Sequence, residues 1–428
     1  MNSIKASIYV LEKYAKSVFG SKNLLLFFFL INFLIYFDRT AIGASLPGIK
    51  KDLNINQMES GTIGAVFMIG YMILSPYFAH LEGKYRSGLI MASGLLMYCL
   101  SNVFTSISTS YIGIIISRAL IGIAEAAYSG ISTSYVDTMA PEGHKTFWLS
   151  IYFSAMAFGA ASGYIVSGIM IAYATWRITF LIESISMFPL SVTCALIPDA
   201  KYVNPDSKLL EEDVKNPKKK EIPMLYEIFE LLTNKTYLFI VFGNAALNFA
   251  TGALAFWCPT YILQVFDLPI EYTTMTIGGV TIVTGIIGTL SGGKIIDRYK
   301  TNNPVKNVQT SLRIIVGIVC IKFPFMIVAT ITTNTLLFFI MFTIVEFLLF
   351  CTIAPVNGLI MRVVSEDKKT IAIALQMFIS HLFGDFPSPF IIGFIMDLTN
   401  MRIAMISVSV AFSFAIVFFV LALLQKSK

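Results

Sequence analysis

Residues 198–234 read PDAKYVNPDSKLLEEDVKNPKKKEIPMLYEIFELLTN. With Glu211-Glu212-Asp213 and Lys218-Lys219-Lys220, this stretch is too polar for hydrocarbon and reads as a solvated linker. Six long apolar segments precede it: Leu24–Leu46, Gly61–Leu81, Leu89–Ser108, Tyr111–Met139, Phe147–Tyr173 and Trp176–Leu196. Six come after it: Tyr237–Leu263, Thr273–Ile296, Ser311–Thr330, Thr335–Met361, Ile371–Met396 and Ile403–Leu424. Each is near the roughly 20 residues needed to cross a bilayer and too long for a barrel strand. Lipid cannot satisfy open backbone groups, so each is expected to be helical. The fold class predicted is an all-α integral membrane protein. Its twelve transmembrane helices form two pseudo-symmetric six-helix bundles, residues 1–197 and 235–428, joined by the linker 198–234.

Composition agrees. Of 428 residues, 56% are hydrophobic and 13% charged. Soluble domains carry about 25% charged residues, so a soluble enzyme, a disordered chain and a fibrous protein are excluded. The net charge of +6 is spread along loops. It reads as topology and not as a nucleic-acid patch. With the N-terminus placed in the cytoplasm, the inner loops hold most of the Lys and Arg, while Lys50, Lys51, Arg177 and Arg402 fall outside. Both termini and the linker are therefore expected to be cytoplasmic. The sequon at Asn234 then lies inside and goes unused. The first apolar run is too long for a cleavable signal and carries Asp38-Arg39. The same reading serves a plasma or an endolysosomal membrane.

Enzyme chemistry finds no footing. Gly288 to Lys294 begins like a phosphate-binding loop, but Ile295 comes next where Ser or Thr is needed. The three histidines form no metal-protease motif, and no G-x-S-x-G occurs. The five cysteines are scattered through apolar segments without metal spacing. No enzyme, metal or cofactor is predicted.

Ionisable residues inside the spans carry the functional reading, since each costs about 2.5–3.5 kcal/mol on insertion scales unless paired or wet. They are Asp38, Arg39, Arg118, Glu125, Glu183, Lys322, Glu346, His381 and Asp385. Counting about 1.5 Å per residue from the outer ends puts Asp38 about 12 Å deep and Arg118 about 10 Å. The two are expected to pair. Glu125 follows Arg118 by two turns on the same face, with no cation nearby in sequence, and is the first candidate for carrying a proton; Asp38 is the second. His381 and Asp385 share a face at i, i+4. Pro387 and Pro389 should break the eleventh segment beside them. Glu183, Lys322 and Glu346 lie on faces the sequence does not fix. Small residues in the fifth segment (Ala155, Gly159, Gly163, Gly168) and eighth (Gly278, Gly285, Gly288, Gly292) allow close helix packing, or sliding.

Gly293-Lys-Ile-Ile-Asp297-Arg298 resembles the G-x-x-x-D-R loop signature of major facilitator transporters. Glu82-Gly83-Lys84-Tyr-Arg86 stands at the matching place in the first half, with Gly83 where the acid is expected. Tyr36-Phe37-Asp38-Arg39 with Leu46-Pro47 looks like the first helix of the Spinster lipid transporters. Arg118 to Tyr128 is similar to their fourth-helix R-x-x-x-G-x-G-E-A-x-Y, with Ala124 replacing the second glycine. Gly159 to Val166 resembles their fifth helix, and Ser380 to Asp397 their eleventh at nearly every marked position.

The resemblance implies a monomeric major facilitator carrier of lysophospholipids or sphingosine-1-phosphate, often coupled to protons, with membrane lipids around it. On that reading Arg118 holds a phosphate or zwitterionic head and Asp38 competes for it. Tyr128, His381 and Asp385 complete the binding site. Glu125 and Asp38 couple protons, and Asp297, Arg298, Glu82 and Lys84 form the gate. A carrier of small organic anions or drugs, and a receptor that no longer transports, are the alternatives.

Overall fold

The computed structural model describes residues 21–82, 85–141, 145–197, 224–299, 303–365 and 368–425. Among them are α1 (Ser21–Leu53), α2 (Gln57–Glu82), α3 (Ser87–Ile107), α4 (Tyr111–Met139), α5 (Lys145–Tyr173) and α6 (Trp176–Leu196). Then come α7 (Met224–Thr233), α8 (Lys235–Phe266), α9 (Ile270–Arg298), α10 (Pro304–Ile331) and α11 (Thr335–Val363). The last are α12 (Lys369–Ser380), a π-turn (His381–Asp385), α13 (Pro387–Leu398) and α14 (Met401–Leu424). Twelve spans are long and apolar enough to cross a membrane, with α12, the π-turn and α13 forming one of them.

Short polar caps start many of these helices, because the first N–H groups of a helix lack internal partners. The side chain of Ser110 accepts from Gly113 N at 3.1 Å, Asn234 from Tyr237 N at 3.1 Å, Asn334 from Leu337 N at 3.0 Å and Asn400 from Ile403 N at 2.9 Å. Two ends differ from expectation. The first helix runs past Pro47 to Leu53, seven residues beyond Leu46. Asp38 therefore sits near its middle rather than about 12 Å from its end. The end of the linker is also not all coil. α7 buries Leu231, and its Glu230 pairs with Lys368 at 2.5 Å.

Helix pairing repeats between the halves. α1 packs on α5, α2 on α4, and α3 on α4 and α6. In the second half α8 packs on the π-turn and its flanking helices, α9 on α11, and α10 on α11 and α14. Two six-helix bundles with the same internal arrangement result.

Glycines set the closest approaches inside the bundles. A Cβ on Gly122 of α4 would lie 1.9 Å from Phe67 O of α2. One on Gly130, two turns on, would meet nothing within 4 Å. Gly122→Val is expected to destabilise the protein by roughly 1–3 kcal/mol, the range for overpacking. Gly130→Val should leave the thermal midpoint in detergent close to that of wild type.

The bundles meet through α1 with α8, α2 with α13, and α5 with α9. The contacts lie in the half of each helix remote from the chain termini. There Gly43 packs on Phe256, Gly61 on the Pro389 carbonyl, and Gly168 on Thr274. Tyr164 Oη also donates across the seam to Ala255 O at 2.6 Å. The small residues predicted from sequence thus divide. Gly159 and Gly163 pack α5 on α1, and Gly288 and Gly292 pack α9 on α11, whereas Gly168 and Gly278 join the two bundles.

Candidate functional site

Below this closure the bundles part around a cavity of about 390 Å³. Its wall is mostly apolar, with charged groups contributed from both sides.

On the N-terminal side, α1 presents two adjacent residues in different directions. Asp38 turns into the bundle. Both its oxygens accept from Arg118 Nη1, at 3.0 and 2.9 Å. Arg118 Nη2 donates to Asn102 Oδ1 at 3.2 Å and Thr105 Oγ1 at 3.4 Å, and the guanidinium lies 4.9 Å from the Phe180 ring centroid. Arg118 is 1% exposed. Glu183 lies close by, accepts a hydrogen bond from Tyr98 Oη, and has Asp38 and Arg118 as electrostatic neighbours. Two carboxylates therefore face one guanidinium in a closed core.

Arg39 turns toward the cavity and pairs with Glu125. The long side chain leans toward the N-terminal end of α1, as helical side chains do, and so reaches a residue deeper on α4. Its guanidinium lies 4.8 Å from the Tyr36 ring centroid and 5.1 Å from that of Phe67. Its side chain keeps 23% exposure. Glu125 thus has a cation after all, supplied from 86 residues away in sequence. Both arginines and Asp38 line the cavity, but Arg118 is almost fully enclosed and bonded to Asp38, Asn102 and Thr105, so Arg39 is the more accessible of the two.

From the second bundle, His381 Nδ1 and Asp385 Oδ2 lie 2.8 Å apart on the π-turn. Pro387 has no N–H, so an α-helix cannot run through unchanged. The chain widens instead, and Phe386 N–H bonds His381 O at 3.1 Å. The break expected from the prolines is this π-turn, of a kind common at functional sites. Among the described residues the buried Asp385 Oδ1 has no hydrogen-bond partner. The His381 ring meets Tyr71 of α2 edge-on, with centroids 5.6 Å apart, and Tyr71 Oη accepts from Ser129 Oγ at 3.2 Å. Arg39, Glu125, Tyr71, His381 and Asp385 form a polar band across both bundles.

Glu346 of α11 also lines the cavity. Thr281 and Thr284 of α9 donate to its two oxygens at 3.0 and 3.2 Å. Among the described residues no cation pairs with it. The sequence leaves its face open; the two threonines three apart on the eighth segment are the signal that could have fixed it.

Other expected residues fall elsewhere. Tyr128 lies outside the cavity lining. It is fully buried, and its hydroxyl donates to Phe28 O at 3.2 Å, tying α4 to α1 away from the cavity. Lys322 is buried against Phe412, 4.3 Å from the ring centroid, outside the cavity lining. Of the gate residues, Arg298 is exposed at the end of α9. Lys84 and the side chains of Glu82 and Asp297 lie outside the described residues. Among the described residues no group of three or more His, Cys, Asp or Glu could hold a metal ion.

Comparison with known proteins agrees with this architecture. The sequence profile of the Major Facilitator Superfamily matches residues 28–386. Protein spinster homolog 1 of Xenopus laevis is 32% identical over 384 residues, covering 86% of this chain and 72% of that one. A protein of Arabidopsis thaliana named "Probable sphingolipid transporter spinster homolog 2" is 28% identical over 413 residues, covering 90% and 83%. The crystal structure of a bacterial homolog to the human lysosomal transporter Spinster, inward-facing and unoccupied, superposes with a TM-score of 0.78 at 15% identity over 94% of this chain and 97% of that one. The chain belongs to the major facilitator superfamily and, within it, to the spinster transporters, which are carriers and not enzymes.

Proposed function

We propose that the protein carries a single-chain, head-group-bearing lipid of the lysophospholipid or sphingoid-phosphate class across a membrane. The cavity is the observation that carries this reading. It is mostly apolar, as a lipid tail requires, with Arg39 and Arg118 among the polar groups of one wall and Glu346 among those of the other. Arg39 on the N-terminal wall suits a phosphate. Glu346 on the C-terminal wall, held by two threonine hydroxyls, suits an amine. A small polar anion would use Arg39 but neither Glu346 nor the apolar wall. The likeness to an Arabidopsis protein named for sphingolipid transport supports the same class.

Transport proceeds by alternating access, the two bundles rocking about the cavity. The excess of Lys and Arg on the terminal side supports a cytoplasmic location for both termini. The closed seam then faces away from the cytoplasm. A gate of Asp297, Arg298, Glu82 and Lys84 on the cytoplasmic side would close in the opposite state. Protons couple through Glu125. When Glu125 is ionised it holds Arg39; when it is protonated, Arg39 is free for phosphate. The protein works as a monomer.

The test is flux of lysophosphatidylcholine and of sphingosine-1-phosphate into proteoliposomes, with and without a pH gradient. Flux that rises several-fold with the gradient is expected. Glu346→Gln should reduce flux of the amine-bearing lipids about tenfold and that of lysophosphatidic acid less than twofold. Equal losses for both lipids would remove Glu346 from head-group recognition. Flux of sugar phosphates but of no lipid would replace the lipid reading with the small-anion one.

A further inference from the structure

The start of α2 is completed by a residue of the other bundle. Four N–H groups open any helix without internal partners. In α2 the first two are bonded by Asp397 of α13, Gln57 N donating to Oδ1 at 3.1 Å and Met58 N to Oδ2 at 2.7 Å. The next two are bonded locally, Glu59 N by Asn56 Oδ1 at 2.7 Å and Ser60 N by Asn56 O at 3.0 Å. The cap is thus divided between the two bundles, whereas Ser110, Asn234, Asn334 and Asn400 each cap the helix that begins directly after them in the chain.

The backbone is built for this approach. A Cβ on Gly393 would lie 2.4 Å from Gln57 O, and one on Gly61 would lie 2.2 Å from Pro389 O. With no side chains at these two places, α13 comes close enough for the short Asp397 side chain to span the seam. Lys50, near the end of α1, lies within electrostatic reach of the same carboxylate. A negative charge at a helix N-terminus is favoured by the helix dipole as well as by the hydrogen bonds.

We propose that Asp397 is the latch of the remote gate, holding the bundles together on the side away from the termini by capping α2. The inference rests on the alternating-access reading above. α2 and α13 cannot separate without breaking both bonds. The latch is also reversible, because Asp397 is exposed and water replaces it when the seam opens.

The test uses the full chain in lipid nanodiscs, with spin labels on exposed positions Lys51 and Thr333, one in each bundle on the closed side. Distances come from double electron–electron resonance. Wild type should give mainly the short distance. Asp397→Ala should raise the ratio of long to short distances roughly five- to thirtyfold, the effect of losing a helix N-cap. Asp397→Asn, keeping one acceptor, should fall between them. Labels at Lys51 and Thr109, both exposed and both in the first bundle, should show no change. The latch is overturned if Asp397→Ala matches wild type, if wild type is mainly open, or if the within-bundle pair shifts too. Lipid flux by wild type is read separately, so absence of transport and absence of a latch give different results.

Discussion

Replacing Arg39 with Ala is expected to abolish lipid flux, with a loss of more than a hundredfold in proteoliposomes. Arg39 is the more exposed of the two arginines lining the cavity, so phosphate loses its most accessible partner. Glu125 loses its counter-charge in the same step and is left buried. Breaking a buried pair from one side typically costs about 3–5 kcal/mol, much of which Glu125 avoids by taking up a proton. The variant should therefore fold, keep a single peak on size exclusion, and fail to transport. Glu125→Gln makes the complementary test. It leaves Arg39 free, so lipid exchange should persist while the response to a pH gradient disappears. Retention of the full response in Glu125→Gln would assign coupling to another group, with Asp38 and the His381–Asp385 pair next in line.

The second large effect is expected on stability. Arg118→Ala removes four hydrogen bonds and a ring contact from a closed core. It leaves Asp38 and Glu183 facing each other without a cation. A loss of about 3–5 kcal/mol is expected, read as a drop of the thermal midpoint and poor recovery from the membrane. Asp38→Asn in the same chain should restore part of it, because the uncompensated charge is then removed. If Arg118→Ala instead folds normally and loses only lipid affinity, Arg118 is a ligand contact, as its place in the fourth-helix motif first implied.

These two arginines show how far the sequence reaches. The twelve spans are legible because a bilayer imposes one length and one composition on each. The approach of Asp38 to Arg118 followed from counting depth along two helices, even though α1 proved seven residues longer at one end. The partner of Glu125 was not legible. Asp38 and Arg39 are neighbours in sequence, but about 100° separates them around a helix. How each of them meets the cavity depends on how α1 packs against α4 and α5. The same applies to Glu346, whose role depends on the rotation of α11 against α9. Tyr128 packs α4 on α1, and a motif records that a residue is present without saying what it touches. The prolines of the eleventh segment announced a break, and the hydrogen-bond pattern that resolves it needed coordinates.

That break has a geometric consequence. The π-turn stores one extra residue within the eleventh span. If it tightened toward an α-helix kinked at Pro387, everything after it would turn by about 100° and advance by about 1.5 Å. α13 comes directly after it and carries Pro389 and Asp397, two of the contacts that seal the seam. If the bundles rock as proposed above, the segment holding His381 and Asp385 would link the polar band to the remote gate as a gear. One residue of slippage there would shift the teeth, Pro389 and Asp397, against α2.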